Sequence, residues 1–228
     1  MILKNDIINK VNPRIVEYIE KSVFPLYGTN DKGHGLNHII DVINRSFDLL
    51  NNLQLDLDPT TVFVIAAYHD IGRAINDEEH EKISAKMFLE DEFIKQLYSN
   101  EEMQAMAMAI EDHRSSFEDE PRSDYGKLIS SADRNTSIEV TFERSYEVGK
   151  FRNPNQTVSE FLDSTITRLT KRYGEENPEN MFFIDDKYKK YIEDIRCLLK
   201  NEEQFKKRYC STNHIDKDKM NHTLVLTL

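Results

Sequence analysis

The apolar stretch VFVIAAYHDI, residues 62–71, constrains the fold more than any other part of the sequence. Asp58 and Pro59 stand shortly before it, and these residue types are preferred at the N-cap and the first position of a helix. A helix that is apolar on all sides is buried in the protein interior. The sequence therefore predicts a buried central helix that ends on His69-Asp70, a neutral imidazole beside a carboxylate.

The rest of the chain has the pattern of amphipathic helices. Apolar residues recur at spacings of three and four, and 7 Gly and 6 Pro are too few for an all-β fold rich in tight turns. The sequence therefore predicts an all-α fold, a single-domain helical bundle. The segments predicted to be helical are 5–26 with a break at Pro13, 34–52, 60–71, 80–89, 101–113, 125–134, 136–150, 157–173 and 186–209.

The composition limits the classes of partner and the compartment. A formal net charge of −11 argues against general nucleic-acid binding, because that binding draws its energy from Lys and Arg that neutralise phosphates. The two cysteines, Cys197 and Cys210, do not make a disulfide framework. The N-terminus lacks the apolar core of a signal peptide, and the apolar runs are far shorter than a membrane span. We therefore expect a cytoplasmic protein that does not bind membranes.

Histidines and acids point to a metal site when they are taken together. Considered one at a time, His38 is explained as a core histidine, Asp70 as a partner of Arg73, and Asp133 as a partner of the arginine after it. A buried carboxylate, however, is costly unless it is paired or bound to a metal. The recurrence of His, His-Asp and a distant Asp, each beside apolar residues, favours a shared metal site over these separate explanations.

The order and the flanks of these residues resemble the HD-domain superfamily of metal-dependent phosphohydrolases. Five blocks occur in the order typical of one branch of that superfamily, which is far more specific than any single block. The blocks are DKGHGLNHIIDV at 31–42, AYHDIGR at 67–73, HEKISA at 80–85, IEDH at 110–113 and SSADR at 130–134. The resemblance implies the helical bundle of the HD-domain type.

The resemblance also implies a set of metal ligands. His38, His69, Asp70 and Asp133 are expected to hold one divalent ion, and this mixed nitrogen and oxygen set does not choose among Mn, Fe, Co, Ni, Mg and Zn. Further histidines have three explanations that the sequence leaves open: a second ion held with Asp70, direct contact with a substrate phosphate, or a structural role. These histidines are His80 and His113.

The resemblance implies further roles around the metal. His34, four residues before His38 and expected on the same helix face, would contact phosphate or move a proton. Asp70 and His34 are thus the expected catalytic residues. Arg73 and Arg114 are the cations best placed to bind the substrate, because a phosphoryl group that gains negative charge needs fixed positive partners.

Arg73 is also a departure from better-known relatives. Several HD branches, among them nucleotidases and alarmone hydrolases, place an acidic residue three positions after the motif Asp, where this chain has Arg73. The Gly-Tyr-Pro variant of cyclic-dinucleotide esterases does not occur either. The substrates of those branches are therefore in doubt for this chain.

The resemblance places the domain parts and the function as follows. Residues 1–30 are expected to pack as an N-terminal helix on the core, 31–135 to form the metal-binding core, 136–210 to add helices to the same domain, and 211–228 to form a tail of open role. The expected activity is hydrolysis of a phosphate mono- or diester of a small metabolite or nucleotide by metal-activated water. The alternatives are a di-iron oxygenase of the HD type and a non-catalytic nucleotide-binding sensor. The substrate, the identity and number of the ions, and a homodimer are left open.

Overall fold

The computed structural model describes residues 3, 5–30, 33–114, 120–175, 181–216 and 221–223. The all-α prediction is confirmed: these residues form helices, and their only β-type pairing is an isolated bridge between Thr157 and Thr223. Within these ranges, no helix has the length and the apolar character that a membrane crossing requires.

The contacts divide the chain into two compact units. Unit 1 comprises residues 1–134 and 181–185, and unit 2 comprises residues 135–180 and 186–228. The prediction of a single domain with four parts is not tested by this division and stays a prediction.

Unit 1 is built from seven α-helices and three helical segments of other types within its described residues. The α-helices are α1 (Asn5–Ile8), α2 (Pro13–Tyr18), α3 (Leu36–Asn52), α4 (Pro59–Tyr68), α5 (His80–Leu89), α6 (Asn100–Glu111) and α7 (Asp124–Ala132). The other segments are a π-helical turn, Ile19–Val23, and two 3-10 helices, Phe24–Thr29 and Ile94–Gln96.

Helix α4 is the centre of unit 1. Asp58 caps it by accepting a hydrogen bond from Thr61 N at 2.8 Å, and every residue from Val62 to Tyr68 is buried. Helices α3, α5, α6 and α7 pack around α4. The helix ends at Tyr68, three residues earlier than predicted, because tight turns replace the helical bonds; Ile71 N, for instance, donates to Tyr68 O.

Helix α3 begins later than the sequence predicts. Gly35 is its N-cap, in an extended conformation with ψ of −173°, and its carbonyl accepts from His38 N at 3.0 Å. His34 therefore lies before the helix. The prediction that His34 and His38 share one helix face is wrong for this reason.

Unit 2 contains four helices in its described residues. They are α8 (Ile138–Arg152), α9 (Val158–Tyr173), α10 (Asp186–Lys200) and α11 (Glu202–Thr212). The last two were predicted as one helix, 186–209. Asn201 separates them because its side chain caps α11 by accepting from Gln204 N at 3.0 Å, so the backbone leaves helical geometry at that residue.

A buried ion pair ties residues 181–185 to the rest of unit 1. Both guanidinium Nη atoms of Arg45 donate to the carboxylate of Asp185 at 2.6 Å, and Asn52 Nδ2 reaches the same carboxylate at 3.4 Å. Phe183 N donates to Ser131 Oγ at 3.1 Å. The segment thus bonds to α3, which carries His38, and to α7, which ends before Asp133.

Replacing Asp185 with Ala is expected to lower the free energy of unfolding by about 3 kcal/mol or more, because a buried Arg45 loses its carboxylate. The matched control is Asp186→Ala. The Asp186 side chain is 99% exposed and lies 3.1 Å from Lys189 Nζ, so its loss should leave the free energy of unfolding nearly unchanged. Urea unfolding followed by circular dichroism measures both, and equal losses would contradict the assignment.

Candidate metal centre

The carboxylate of Asp70 lies at the centre of a buried cluster of imidazoles. Asp70 is 2% exposed and follows α4 by two residues. Its Oδ2 lies 3.6 Å from His38 Nε2 and 3.7 Å from His69 Nε2. Its Oδ1 lies 3.2 Å from His80 Nε2 and 3.4 Å from His113 Nε2. The two oxygens therefore face two different pairs of histidines.

Local hydrogen bonds fix the orientation of three of these rings. The Nδ1 atoms of His69, His80 and His113 lie 2.7, 2.8 and 2.6 Å from the carbonyl oxygens of the residues three positions earlier. A carbonyl only accepts, so each Nδ1 carries the proton and each Nε2 faces Asp70. Metal-binding histidines commonly have this arrangement, in which the nitrogen that does not bind the ion donates to a carbonyl.

The four predicted ligands meet on the Oδ2 side of Asp70. His38 comes from α3, His69 and Asp70 follow α4, and Asp133 follows α7. His38 Nε2 is 3.1 Å from Asp133 Oδ1, and the donor atoms of His38, His69 and Asp133 all lie within 4.8 Å of one another. The structure thus brings together all four residues that the sequence selected; we name them the four-ligand set.

The four-ligand set fits a metal ion chemically as well as geometrically. His69 is fully buried, and its Nε2 makes no hydrogen bond within the described part of the chain. A buried acceptor left unsatisfied costs about 1–3 kcal/mol. A divalent cation bound by this nitrogen and the two carboxylates would satisfy it.

A second set of donors lies on the Oδ1 side of Asp70. His80 is the first residue of α5 and His113 follows α6, and their Nε2 atoms are 3.3 Å apart. Together with Asp70 Oδ1 they form a triangle of donor atoms, which we name the Oδ1 triangle. The donor atoms of His113, His69 and Asp70 also lie within 4.8 Å of one another, close enough to hold a metal ion. Both histidines thus lie where either a second ion or a phosphate contact is feasible.

Burial and mutual contact set the protonation of the cluster. Burial lowers the pKa of His69 to about 4 and also lowers the pKa of His80, so both rings are neutral at pH 7. Burial opposes the charged form of Asp70 as well, but the surrounding imidazoles hold its pKa well below the usual range. Burial likewise disfavours a charged His113, yet its hydrogen bond with Asp70 raises its pKa. The cluster therefore contains an ionised carboxylate, that of Asp70, and two neutral imidazole donors, those of His69 and His80.

A close contact between Gly72 and Ser84 holds α5 against the turn that follows His69 and Asp70. A Cβ at Gly72 would lie 2.7 Å from Ser84 N and 2.8 Å from His80 O, so only glycine lets the turn approach α5 this closely. Gly72 N donates to the buried Ser84 Oγ at 2.9 Å. The pair holds His80, at the start of α5, against the turn that carries Asp70.

Of the two arginines expected to bind substrate, one lies beside Asp70 and the other does not, and His34 lies next to His38. Arg73 Nη1 lies 3.7 Å from Asp70 Oδ1, beside the Oδ1 triangle. Arg114 does not face Asp70; it donates to Glu78 O and pairs with Glu81 at 3.1 Å. The ring of His34 stands edge-on to His38 at 5.5 Å between centroids, next to the four-ligand set.

Sequence reasoning missed several residues that support the site. Asn30 Nδ2 donates to His34 O at 2.9 Å and Asp70 O at 3.3 Å. The carboxylate of Asp112, beside His113, is fully buried and accepts from Arg122 N at 2.7 Å and from the Arg122 guanidinium. Asp112 belongs to the IEDH block, but its partner Arg122 lies in a stretch predicted to be a loop. The sequence therefore did not indicate that the two residues pair.

The comparison with protein families agrees with this geometry. Residues 35–137 match the sequence model of the HD domain, and this range contains all four predicted ligands. These residues are therefore an HD domain, a class of domain associated with divalent metals and phosphohydrolase activity. No curated protein and no solved structure matches the chain. The metal-ligand roles of individual residues stay predictions.

Replacing Gly72 with Ala is expected to lower the free energy of unfolding by about 1–3 kcal/mol, because the added methyl group overlaps the backbone of α5. Gly28→Ala is the matched control. A Cβ at Gly28 would meet no atom within 4 Å, so the change should be neutral or slightly stabilising. Urea unfolding of the two variants tests this. A Gly72→Ala protein as stable as the control would show that the close approach is not required.

Proposed function

We propose that this HD domain is a metal-dependent phosphohydrolase that cleaves a phosphate mono- or diester of a small metabolite or nucleotide. The observation that carries the proposal is the buried Asp70 carboxylate, flanked by imidazole nitrogens on both oxygens and accompanied by Asp133. A permanent cation, Arg73, lies at the edge of the same cluster. Donors for a metal and a charge for a phosphate thus occur side by side.

The four-ligand set would hold the ion, and its donors do not choose among Mn, Fe, Co, Ni, Mg and Zn. A divalent ion in such a site lowers the pKa of a bound water and polarises a phosphoryl oxygen. Asp70 contributes an ionised carboxylate. His69 contributes a neutral Nε2 whose direction is fixed by the bond from Nδ1 to Ala66 O.

Exposure indicates where a substrate would enter. The side chains of Asp133 and Arg73 are 25% and 20% exposed, whereas those of Asp70 and His69 are almost fully covered. Solvent and substrate therefore reach the cluster from the side of Asp133 and Arg73. His34, next to His38 and partly exposed, is placed to give a proton to the leaving group or take one from water.

The role of Arg73 in this proposal is to bind the phosphate. A guanidinium presents several donors in a planar fork that matches two phosphate oxygens, and it keeps its charge at every physiological pH. Its Nη2 is already directed by a 2.7 Å contact with Asp77 Oδ1, which is 63% exposed and thus easily displaced. Arg114, which pairs with Glu81, is the weaker candidate for this role.

Asp70→Asn is expected to lower kcat/KM for phosphate release by at least about 100-fold, because the amide keeps the shape but loses the charge that holds the metal. The measurement is phosphate release from a panel of phosphorylated metabolites and nucleotides, with metal-free protein reloaded with Mn²⁺, Co²⁺, Ni²⁺ or Zn²⁺. His222→Gln is the control, since His222 is exposed in unit 2 and should leave the rate unchanged.

Two outcomes would replace the proposal by one of its alternatives. Nucleotide binding that survives Asp70→Asn, in a wild-type protein that releases no phosphate with any metal, would indicate a sensor. Oxygen-dependent turnover by the iron-loaded protein, without phosphate release, would indicate an oxygenase.

A further inference from the structure

We propose that the guanidinium of Arg73 takes the place of a second metal ion, so that this site binds one divalent ion per chain rather than two. The inference rests on the proposed function, because it concerns how many ions the proposed centre holds. It assigns the two sides of Asp70 different cations: a metal at the four-ligand set on the Oδ2 side, and an arginine at the Oδ1 triangle.

The donor atoms of the Oδ1 triangle have the spacing of metal ligands. The three distances between Asp70 Oδ1, His80 Nε2 and His113 Nε2 are 3.2, 3.3 and 3.4 Å. Donors at about 2.1 Å from one ion, at the angles of tetrahedral or octahedral coordination, are separated by about 3.0–3.4 Å. Geometry alone would therefore admit an ion here.

The triangle needs a positive group in any case. Both histidines direct their Nδ1 protons to backbone carbonyls, so two imidazole nitrogens and a carboxylate oxygen face one another in a buried place. When both rings are neutral these are three acceptors, and at these distances they repel one another unless a cation lies beside them.

Arg73 supplies that positive charge from within the chain. Its Nη1 is 3.5 Å from His80 Nε2 and 3.7 Å from Asp70 Oδ1, so one nitrogen approaches two corners of the triangle. The backbone brings it there, because Arg73 N donates to Asp70 O at 3.2 Å in the turn after the motif. Asp77 holds the other end of the guanidinium at 2.7 Å.

A guanidinium and a divalent ion compete for this position. A guanidinium is a permanent cation, so a metal in the triangle would lie next to a fixed positive group. The four-ligand set is affected less, because His38 and His69 face the other oxygen of Asp70. Arg73 thus selects against the second ion and leaves the first.

The test is the number of Mn²⁺ ions bound by the metal-free chain of 228 residues, measured by calorimetric titration and by elemental analysis after gel filtration. We expect one ion for the wild type and for Arg73→Lys, which keeps the charge. We expect two for Arg73→Gln and for Arg73→Ser, which remove it. Two ions bridged by Asp70 would also give an exchange-coupled electron paramagnetic resonance spectrum, which a single Mn²⁺ does not.

Two further variants locate the effect. Arg114→Gln removes a nearby arginine that pairs with Glu81 and does not approach the triangle, so it should still bind one ion. His113→Ala, added to Arg73→Gln, removes one corner of the triangle and should return the number from two to one.

The outcomes separate the inference from the proposed function. Two ions in the wild type, or one ion in both neutral variants of Arg73 with native circular dichroism, would overturn the inference and leave a metal-dependent hydrolase in place. A wild type that binds none of Mn²⁺, Co²⁺, Ni²⁺ and Zn²⁺ would overturn the proposed function, and the inference with it.

Discussion

The rest of unit 1 depends on the burial of one carboxylate, that of Asp70. A charge placed in the interior is unstable unless other groups compensate it. Here four imidazoles from different parts of the chain direct Nε2 at the carboxylate, so that a cation bound between them would compensate its charge: they come from α3, the turn after α4, the start of α5 and the residues after α6. These parts must therefore meet at one point, and the bundle around α4 is the arrangement in which they do.

The sequence could predict the residues of this site but not their orientation. His38, His69, Asp70 and Asp133 stood out because each lies beside apolar residues in a familiar order. The direction of each imidazole ring depends on its hydrogen bond to a carbonyl, and the spacing between rings depends on helix packing. Neither can be predicted from residue types alone. Adjacency along the chain can mislead for the same reason, since Arg114 follows His113 directly yet turns towards Glu81.

Helix positions were predictable from periodicity, whereas helix ends depended on single backbone conformations. The all-apolar stretch gave α4, because its pattern leaves no face for solvent. The start of α3 was misplaced because Gly35 adopts an extended conformation there, and the helix 186–209 was not recognised as two because a capping Asn201 lies inside a regular pattern. Such residues permit more than one structure, and tertiary packing decides between them.

Charge balance explains why an arginine after the motif fits a centre with one ion. Under the proposed function, Asp70 and Asp133 would neutralise a divalent ion at the four-ligand set, and the positive charge of Arg73 would then be left for an incoming phosphate. An acidic residue at the same position would reverse that excess, and the pocket would then need a further cation before it could bind an anion. In this proposal, the same electrostatic requirement determines both the residue type at position 73 and the number of ions that the site binds.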